Sequence, residues 1–133
     1  MAKPVLLPIL ALLVVMEYSA TIASASPADV NIWNQVGEWI QIHCQSGDRD
    51  LKEMTLVAGQ TFGWGFTPNI WGTTLFHCSF RWGTRHQHFD VWTDHGWDGT
   101  KRRPCKHCEW RVRPDGFYRN SVGQPPVLVH PWL

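Results

Sequence analysis

"FHCSFRWG", residues 76–83, places Phe76, Cys78, Phe80 and Trp82 on one alternation and His77, Ser79 and Arg81 on the other. A period of two is the mark of a strand with one face packed and one face wet. The cysteine therefore stands inward among aromatic rings, and the histidine before it faces solvent. The same His-Cys pair recurs at His43-Cys44 and His107-Cys108. A metal site and a disulfide framework both produce such pairs, and the rest of the chain decides between them.

Short alternating runs separated by turn residues continue in both directions. "VNIW" at 30–33 and "WIQIHC" at 39–44 flank Gly37, and Met54 and Leu56 lead to a turn at Gly59. Phe62, Trp64 and Phe66 alternate with small residues. "HFDVW" at 88–92 follows a turn at "GTR", Cys108, Trp110 and Val112 alternate in "CEWRVR", and Pro114-Asp115-Gly116 turns into "FYRN". No 3.6-residue period persists, and strand-sized runs recur about every 8 to 12 residues, so the chain is predicted to be all-β. The expected fold is a small antiparallel β-sandwich of seven or eight strands, with a closed barrel as the alternative. From Ser121 onward, three prolines and no alternation predict an irregular tail over 121–133.

At the other end, Lys3 precedes an apolar run from Leu6 to Met16, within the ~7 to 15 residues of a signal-peptide core and short of the ~20 needed to cross a membrane. Ala23-Ser24-Ala25 supplies a small-x-small cleavage pattern, so residues 1–25 are expected to be a signal peptide and residues 26–120 one secreted domain. No Asn-x-Ser/Thr acceptor is present. The formal net charge of +1 lacks the basic stripe that nucleic acid requires. No second long apolar segment follows, so no membrane insertion is expected of the mature chain, and a monomer is expected.

All four cysteines, Cys44, Cys78, Cys105 and Cys108, lie in the mature part. An even count in a small exported chain reads as two disulfides, because that route is oxidising and a small core gains from cross-links. Zinc fits less well. Adjacent His and Cys on a strand point to opposite faces, so each pair offers one ligand to a common centre. No metal or cofactor is expected. Of the three connectivities, Cys44–Cys108 with Cys78–Cys105 is favoured, because Cys44, Cys78 and Cys108 share inward phases. Cys105–Cys108 is set aside, since a redox C-x-x-C draws its reactivity from a helix N-terminus and none is signalled.

Nine tryptophans raise a sugar-binding reading. Trp64, Trp82 and Trp110 share the inward phase and belong to the core, whereas Trp39, Trp71, Trp92 and Trp97 fall on outward phases or in loops. A catalytic reading has only His86 and His88 on one strand face, with Asp94 and His95 nearby. No nucleophile elbow, metalloprotease motif or phosphate loop accompanies them, so no enzymatic activity is expected.

The ordered segments "HCQSGDRDL" (43–51), "WGTTLFHCSFRW" (71–82), "FDVW" (89–92), "CKHCEWRV" (105–112) and "PDGFY" (114–118) resemble the plant self-incompatibility protein family, or S-protein homologues. The resemblance implies a small secreted protein with a signal peptide, a β-sandwich and two disulfides; the founding members are stigma ligands that act on incompatible pollen. Two departures stand out. The family's acidic loop ends in Leu-Gly, whereas Arg49 interrupts it here and Lys52 replaces the glycine; the proline-rich tail has no counterpart.

The expected function is a secreted, non-catalytic protein ligand in plant cell signalling that meets a cell-surface receptor protein through its loops, the alternative being a carbohydrate-binding module using exposed tryptophans. A rigid sandwich displays its variable chemistry in connections. The candidate contact regions are Gly47 to Lys52 (with Asp48, Arg49 and Asp50), Thr67 to Asn69, Gly83 to Gln87, and Asp94 to Arg103 (with Asp94, Asp98, Lys101, Arg102 and Arg103).

Overall fold

The computed structural model describes residues 26–96 and 104–133. The expected signal peptide (1–25) and part of the fourth contact region (97–103, with Trp97, Asp98, Lys101, Arg102 and Arg103) lie outside the described residues.

Nine strands follow one another: β1 (Ala28–Asn34), β2 (Ile40–Gln45), β3 (Asp50–Leu56), β4 (Thr61–Phe66), β5 (Leu75–Trp82), β6 (Arg85–Thr93), β7 (His107–Arg113), β8 (Gly116–Ser121) and β9 (Val127–His130). They form a five-stranded sheet in the order β4-β1-β7-β8-β9 and a four-stranded sheet in the order β3-β2-β5-β6. The fold is the all-β sandwich that the alternation indicates. Two details differ from expectation. The strands number nine, and β1 pairs with β7 in parallel, from Asp29↔His107 to Asn34↔Val112, because β7 returns to the sheet only after the chain has built the opposite layer.

The inward phase supplies the core. Val30 and Ile32 from β1, Ile40 and Ile42 from β2, Phe76 and Phe80 from β5, Trp110 and Val112 from β7, and Phe117 from β8 are all buried between the sheets. Phe80, Phe89 and Phe117 meet in one cluster with ring centroids 4.8 to 5.2 Å apart. The step from the first layer to the second is fixed by Asn34, a fully buried amide. Its Nδ2 donates to the Glu38 and Leu56 carbonyls and its Oδ1 accepts from Val36 N, so its side chain is buried without an orphaned group.

The disulfides are Cys44–Cys78 and Cys105–Cys108, which corrects the expected pairing. Cys44 lies directly opposite Cys78 in the β2–β5 ladder, with Cα atoms 4.1 Å apart. Shared inward phase was the wrong criterion: neighbours in one sheet lie far closer than residues on facing sheets, which stand about 10 Å apart. Cys105 and Cys108 instead close a loop at the entry to β7.

Trp92 is a second correction. The simple alternation puts it outward, yet it is 1 % exposed. Opposite Phe76 and His77, β6 carries one extra residue, since Phe76 pairs with Trp92 and His77 with Asp90. This bulge turns both Val91 and Trp92 inward, and the Trp92 indole donates to the Cys105 carbonyl at 2.9 Å.

The irregular tail is the third correction. β9 pairs with β8 through Arg119↔Val127, Tyr118↔Leu128 and Phe117↔His130. Beyond it, Trp132 packs on Phe117 and Trp82, and Leu133 exchanges two backbone hydrogen bonds with His86 of β6. The domain therefore extends through the C-terminal residues, which close one seam between the sheets.

A candidate recognition surface of three loops

Two of the four expected contact regions, Gly47 to Lys52 and Thr67 to Asn69, lie at one end of the sandwich together with the described start of a third, Asp94 to Gly96. Gln45 pairs with His77 and Leu75 with Thr93 in one sheet, while Phe66 pairs with Ala28 in the other. Phe66 packs on Phe76 and Trp92 across the layers, so the β2–β3, β4–β5 and β6–β7 connections emerge together. The fourth region, Gly83 to Gln87, comprises the two-residue β5–β6 hairpin turn and the first residues of β6 at the opposite end and is not part of this surface.

In the β2–β3 connection the charged candidates hold the loop as well as display charge. Ser46 N bonds the Arg49 carbonyl at 2.7 Å, and Asp48 accepts from Ser46 Oγ. The Arg49 guanidinium donates to the Gly65 carbonyl on the other sheet at 2.9 Å, tying the edges of β3 and β4 together. Asp50 sits 2.7 Å from His43 Nε2 and accepts from Lys52 N. The His43 hydrogen bond, followed by the Lys52 N–H, lowers its pKa below the usual carboxylate value, so Asp50 stays charged into mildly acidic solution.

Lys52 has φ 69°, at a β-bulge in the β2–β3 pairing. This left-handed conformation costs a residue with a Cβ about 1 to 2 kcal/mol and glycine nothing. It accounts for the glycine that the resemblance implies at this position. Lys52→Gly is expected to raise the unfolding free energy by about 0.5 to 1 kcal/mol after the greater flexibility of unfolded glycine is offset, and Lys52→Val to lower it. Urea unfolding midpoints check both, and a loss of stability in the glycine variant would refute the account.

The β4–β5 connection is built around Asn69. Its Oδ1 accepts from the N–H groups of Trp71 and Thr73, its Nδ2 donates to Thr73 Oγ1, and its own N–H donates to Thr74 Oγ1. An Asn side chain that substitutes for backbone partners in this way fixes a turn without a strand ladder, and Gly72 takes the left-handed φ of 69° that the turn requires. The tip consists of Ile70 and Trp71, 77 % and 78 % exposed. Sequence reasoning placed the contact region at Thr67 to Asn69 and overlooked Ile70; the turn-forming Asn69 with Gly72-Thr73-Thr74 three residues on was the available signal.

Asp94 is less a displayed charge than a brace. Half-buried, its carboxylate accepts from Thr74 N at 2.6 Å and joins the β6–β7 connection to the β4–β5 loop. Between these loops lie two clefts. One, of about 720 Å³, runs between Asp48-Arg49 and Thr73-Thr74 over Phe66 and Phe76. The other, of about 820 Å³, lies between Asn69-Ile70 and Cys105-Lys106, with Trp92 and Asp94 in its wall.

His86 and His88 lie exposed on the outer face of the four-stranded sheet and line neither cleft; His88 Nδ1 is 2.9 Å from Ser79 Oγ, and its ring lies against His77, which borders the 720 Å³ cleft. Among the described residues, no three His, Cys, Asp or Glu side chains converge as metal ligands. Of the tryptophans proposed as sugar platforms, Trp39 and Trp71 are exposed, Trp92 is buried, and Trp97 lies outside the described residues.

Comparison with known proteins agrees with this architecture. Residues 29–132 match the family model of plant self-incompatibility protein S1. Among Arabidopsis thaliana proteins, S-protein homolog 2 is 33 % identical over 112 residues, covering 80 % of this chain and 69 % of that protein. S-protein homolog 20 is 36 % identical over 92 residues, 66 % of this chain and 65 % of that protein; S-protein homolog 5 is 35 % identical over 80 residues, 60 % and 59 %. In the last two the chain covers less than two thirds of the relative's own length. A solved structure of a self-incompatibility protein homologue, from a family described as small, highly stable, secreted plant proteins, superposes with a TM-score of 0.61 at 22 % identity over 81 % of this chain and 96 % of that one, a likeness of fold. The nine-stranded sandwich, the ordered cysteine motifs and a family match that extends to Trp132 together make this chain a member of the plant self-incompatibility protein S1 family.

Proposed function

We propose that the protein is a secreted, non-catalytic ligand that recognises a cell-surface protein through the three-loop end of the sandwich. The observation that carries the reading is the Ile70-Trp71 tip, two large apolar side chains held bare to solvent on a loop that the Asn69 network has already ordered. A preorganised loop gives up little entropy on binding, and a buried aromatic anchor is the commonest energetic centre of an interface. Asp48 and Lys106 lie exposed on neighbouring loops and can supply a charged rim, which governs partner choice and encounter rate more than affinity. Asp94 and Pro104, which bracket in sequence the residues Asp98, Lys101, Arg102 and Arg103, both line the 820 Å³ cleft. The signal-peptide pattern at 1–25 and the secreted character of the structural relative support an extracellular site of action.

Labelled protein should bind intact plant cells saturably, and the binding should disappear after surface proteolysis. Ile70→Ser combined with Trp71→Ala should weaken it by about 30-fold or more, the scale of a hot-spot loss of ~2 kcal/mol, while thermal unfolding moves by no more than an exposed substitution does. Undiminished binding by the double variant would remove this tip from the interface. Protease-resistant binding that soluble glycans displace would favour the carbohydrate reading instead, with Trp71 as its ring.

A further inference from the structure

The two disulfides differ in surroundings. Cys44 and Cys78 are enclosed between the sheets, as is Cys108, whereas Cys105 is only partly buried and lines the 820 Å³ cleft beside Lys106. We infer that Cys105–Cys108 is a thiol-exchange site, in which a small anionic thiol of the glutathione class enters this cleft and attacks Cys105 Sγ. Four observations carry the assignment: a partly buried cysteine on one side of the bridge, an enclosed one on the other, an exposed lysine lining the same cleft as the partly buried cysteine, and the cleft itself. Positive charge beside a cysteine favours approach of a thiolate and stabilises the thiolate formed.

The step balances as an ordinary exchange. The incoming thiolate forms a bond to Cys105 Sγ, the Cys105–Cys108 bond breaks, and its electron pair leaves on Cys108 Sγ. A second thiol of the same class then attacks the mixed disulfide. Two external thiols are oxidised to one external disulfide, and the protein bridge is reduced to two thiols. Ser121 Oγ, 3.5 Å from Cys105 Sγ, is placed to donate to the released Cys105 thiolate.

The fold can survive the opening. β7 remains hydrogen-bonded to β1 and β8 on its two sides. The ends of the small loop keep their own bonds, Trp92 Nε1 to the Cys105 carbonyl, Asp29 N to the Lys106 carbonyl and Val122 N to the His107 carbonyl. Cys44–Cys78, by contrast, is reached only when the sheets part.

The test uses the oxidised full chain and reduced glutathione, with timed alkylation and peptide mapping, and near-ultraviolet circular dichroism of the tryptophans as the readout of folding. Since no partner is needed, its outcome stands apart from that of the ligand reading. Cys105–Cys108 should open at least about tenfold faster than Cys44–Cys78, the glutathione adduct should map to Cys105, and the tryptophan signal should persist. Both bridges opening together, opening only as the tryptophan signal is lost, or an adduct on Cys108 would each overturn the inference. In Cys108→Ala the free Cys105 should react readily with oxidised glutathione, and in Cys105→Ala the Cys108 thiol should not. Equal reactivity would also overturn it; if either variant fails to fold, the mapping of the unaltered protein decides.

Discussion

Replacing Cys44 and Cys78 together by alanine should lower the unfolding free energy by about 4 to 5 kcal/mol, against about 2 kcal/mol for the Cys105 and Cys108 pair. The two bridges span 34 and 3 residues of sequence, and cross-link stabilisation through the unfolded chain grows with the logarithm of the loop closed. Loop closure gives about 4 kcal/mol for the longer bridge. Removing two buried sulfurs between Phe76, Phe80 and Ile42 adds a cavity cost on top. A loss of this size is comparable with the whole stability of many small domains, so the first variant should unfold at a much lower urea concentration, or expose its aromatic core without denaturant. Equilibrium urea unfolding of both variants beside the oxidised parent checks the order. An equal or smaller loss for the Cys44 and Cys78 variant would mean that the cross-strand bridge is not what holds β2 to β5.

The all-β class, the buried face and most strand positions were legible because they depend on one local property, the alternation of side chains, which "FHCSFRWG", "IQIHC" and "CEWRV" each carry. What was not legible depends on pairing between strands distant in sequence. The Cys44–Cys78 bridge needs the knowledge that β2 and β5 are neighbours in one sheet, and alternation says only that both cysteines face inward. The inward turn of Trp92 needs the extra residue that β6 carries relative to β5, which a single strand's pattern does not record. The recognition end divides in the same way. The loops were found from their polar and turn residues, but Asp94, chosen as a displayed charge, is taken up by Thr74 N, and Ile70, skipped as an apolar residue, stands bare at the tip. Charge in a sequence marks exposure well and role poorly: a carboxylate in a loop has backbone N–H groups to satisfy before it meets a partner.

Ending the chain at Gln124 should lower the unfolding free energy by about 4 to 6 kcal/mol, and so shift the unfolding temperature down by about 15 to 30 °C for a domain of this size. Such a truncation removes β9, the His130 ring stacked 4.3 Å from Phe89, and Trp132, whose ring lies 4.6 Å from Phe117 and whose Nε1 donates to the Arg113 carbonyl. It also uncovers the edges of β8 and β6, since Leu133 pairs with His86, and Gln87 Nε2 donates to the Pro131 carbonyl. The prolines that gave this segment the look of a loose tail are compatible with the strand, because Pro125, Pro126 and Pro131 flank Val127–His130 rather than interrupt it, and an edge strand tolerates them there. Gly116 carries the complementary signature: its φ is 146°, and a Cβ there would collide with the His130 carbonyl, so β8 accepts β9 only with glycine at that place. Should the truncated chain prove too unstable to purify, Trp132→Ala, at about 2 to 3 kcal/mol for a partly buried indole, and Gly116→Ala provide graded versions of the same loss. Unfolding midpoints unmoved by Trp132→Ala and by the truncation alike would show that the C-terminal strand merely rests on the sandwich; a drop in both, larger for the truncation, would establish it as the element that closes the seam between the two sheets.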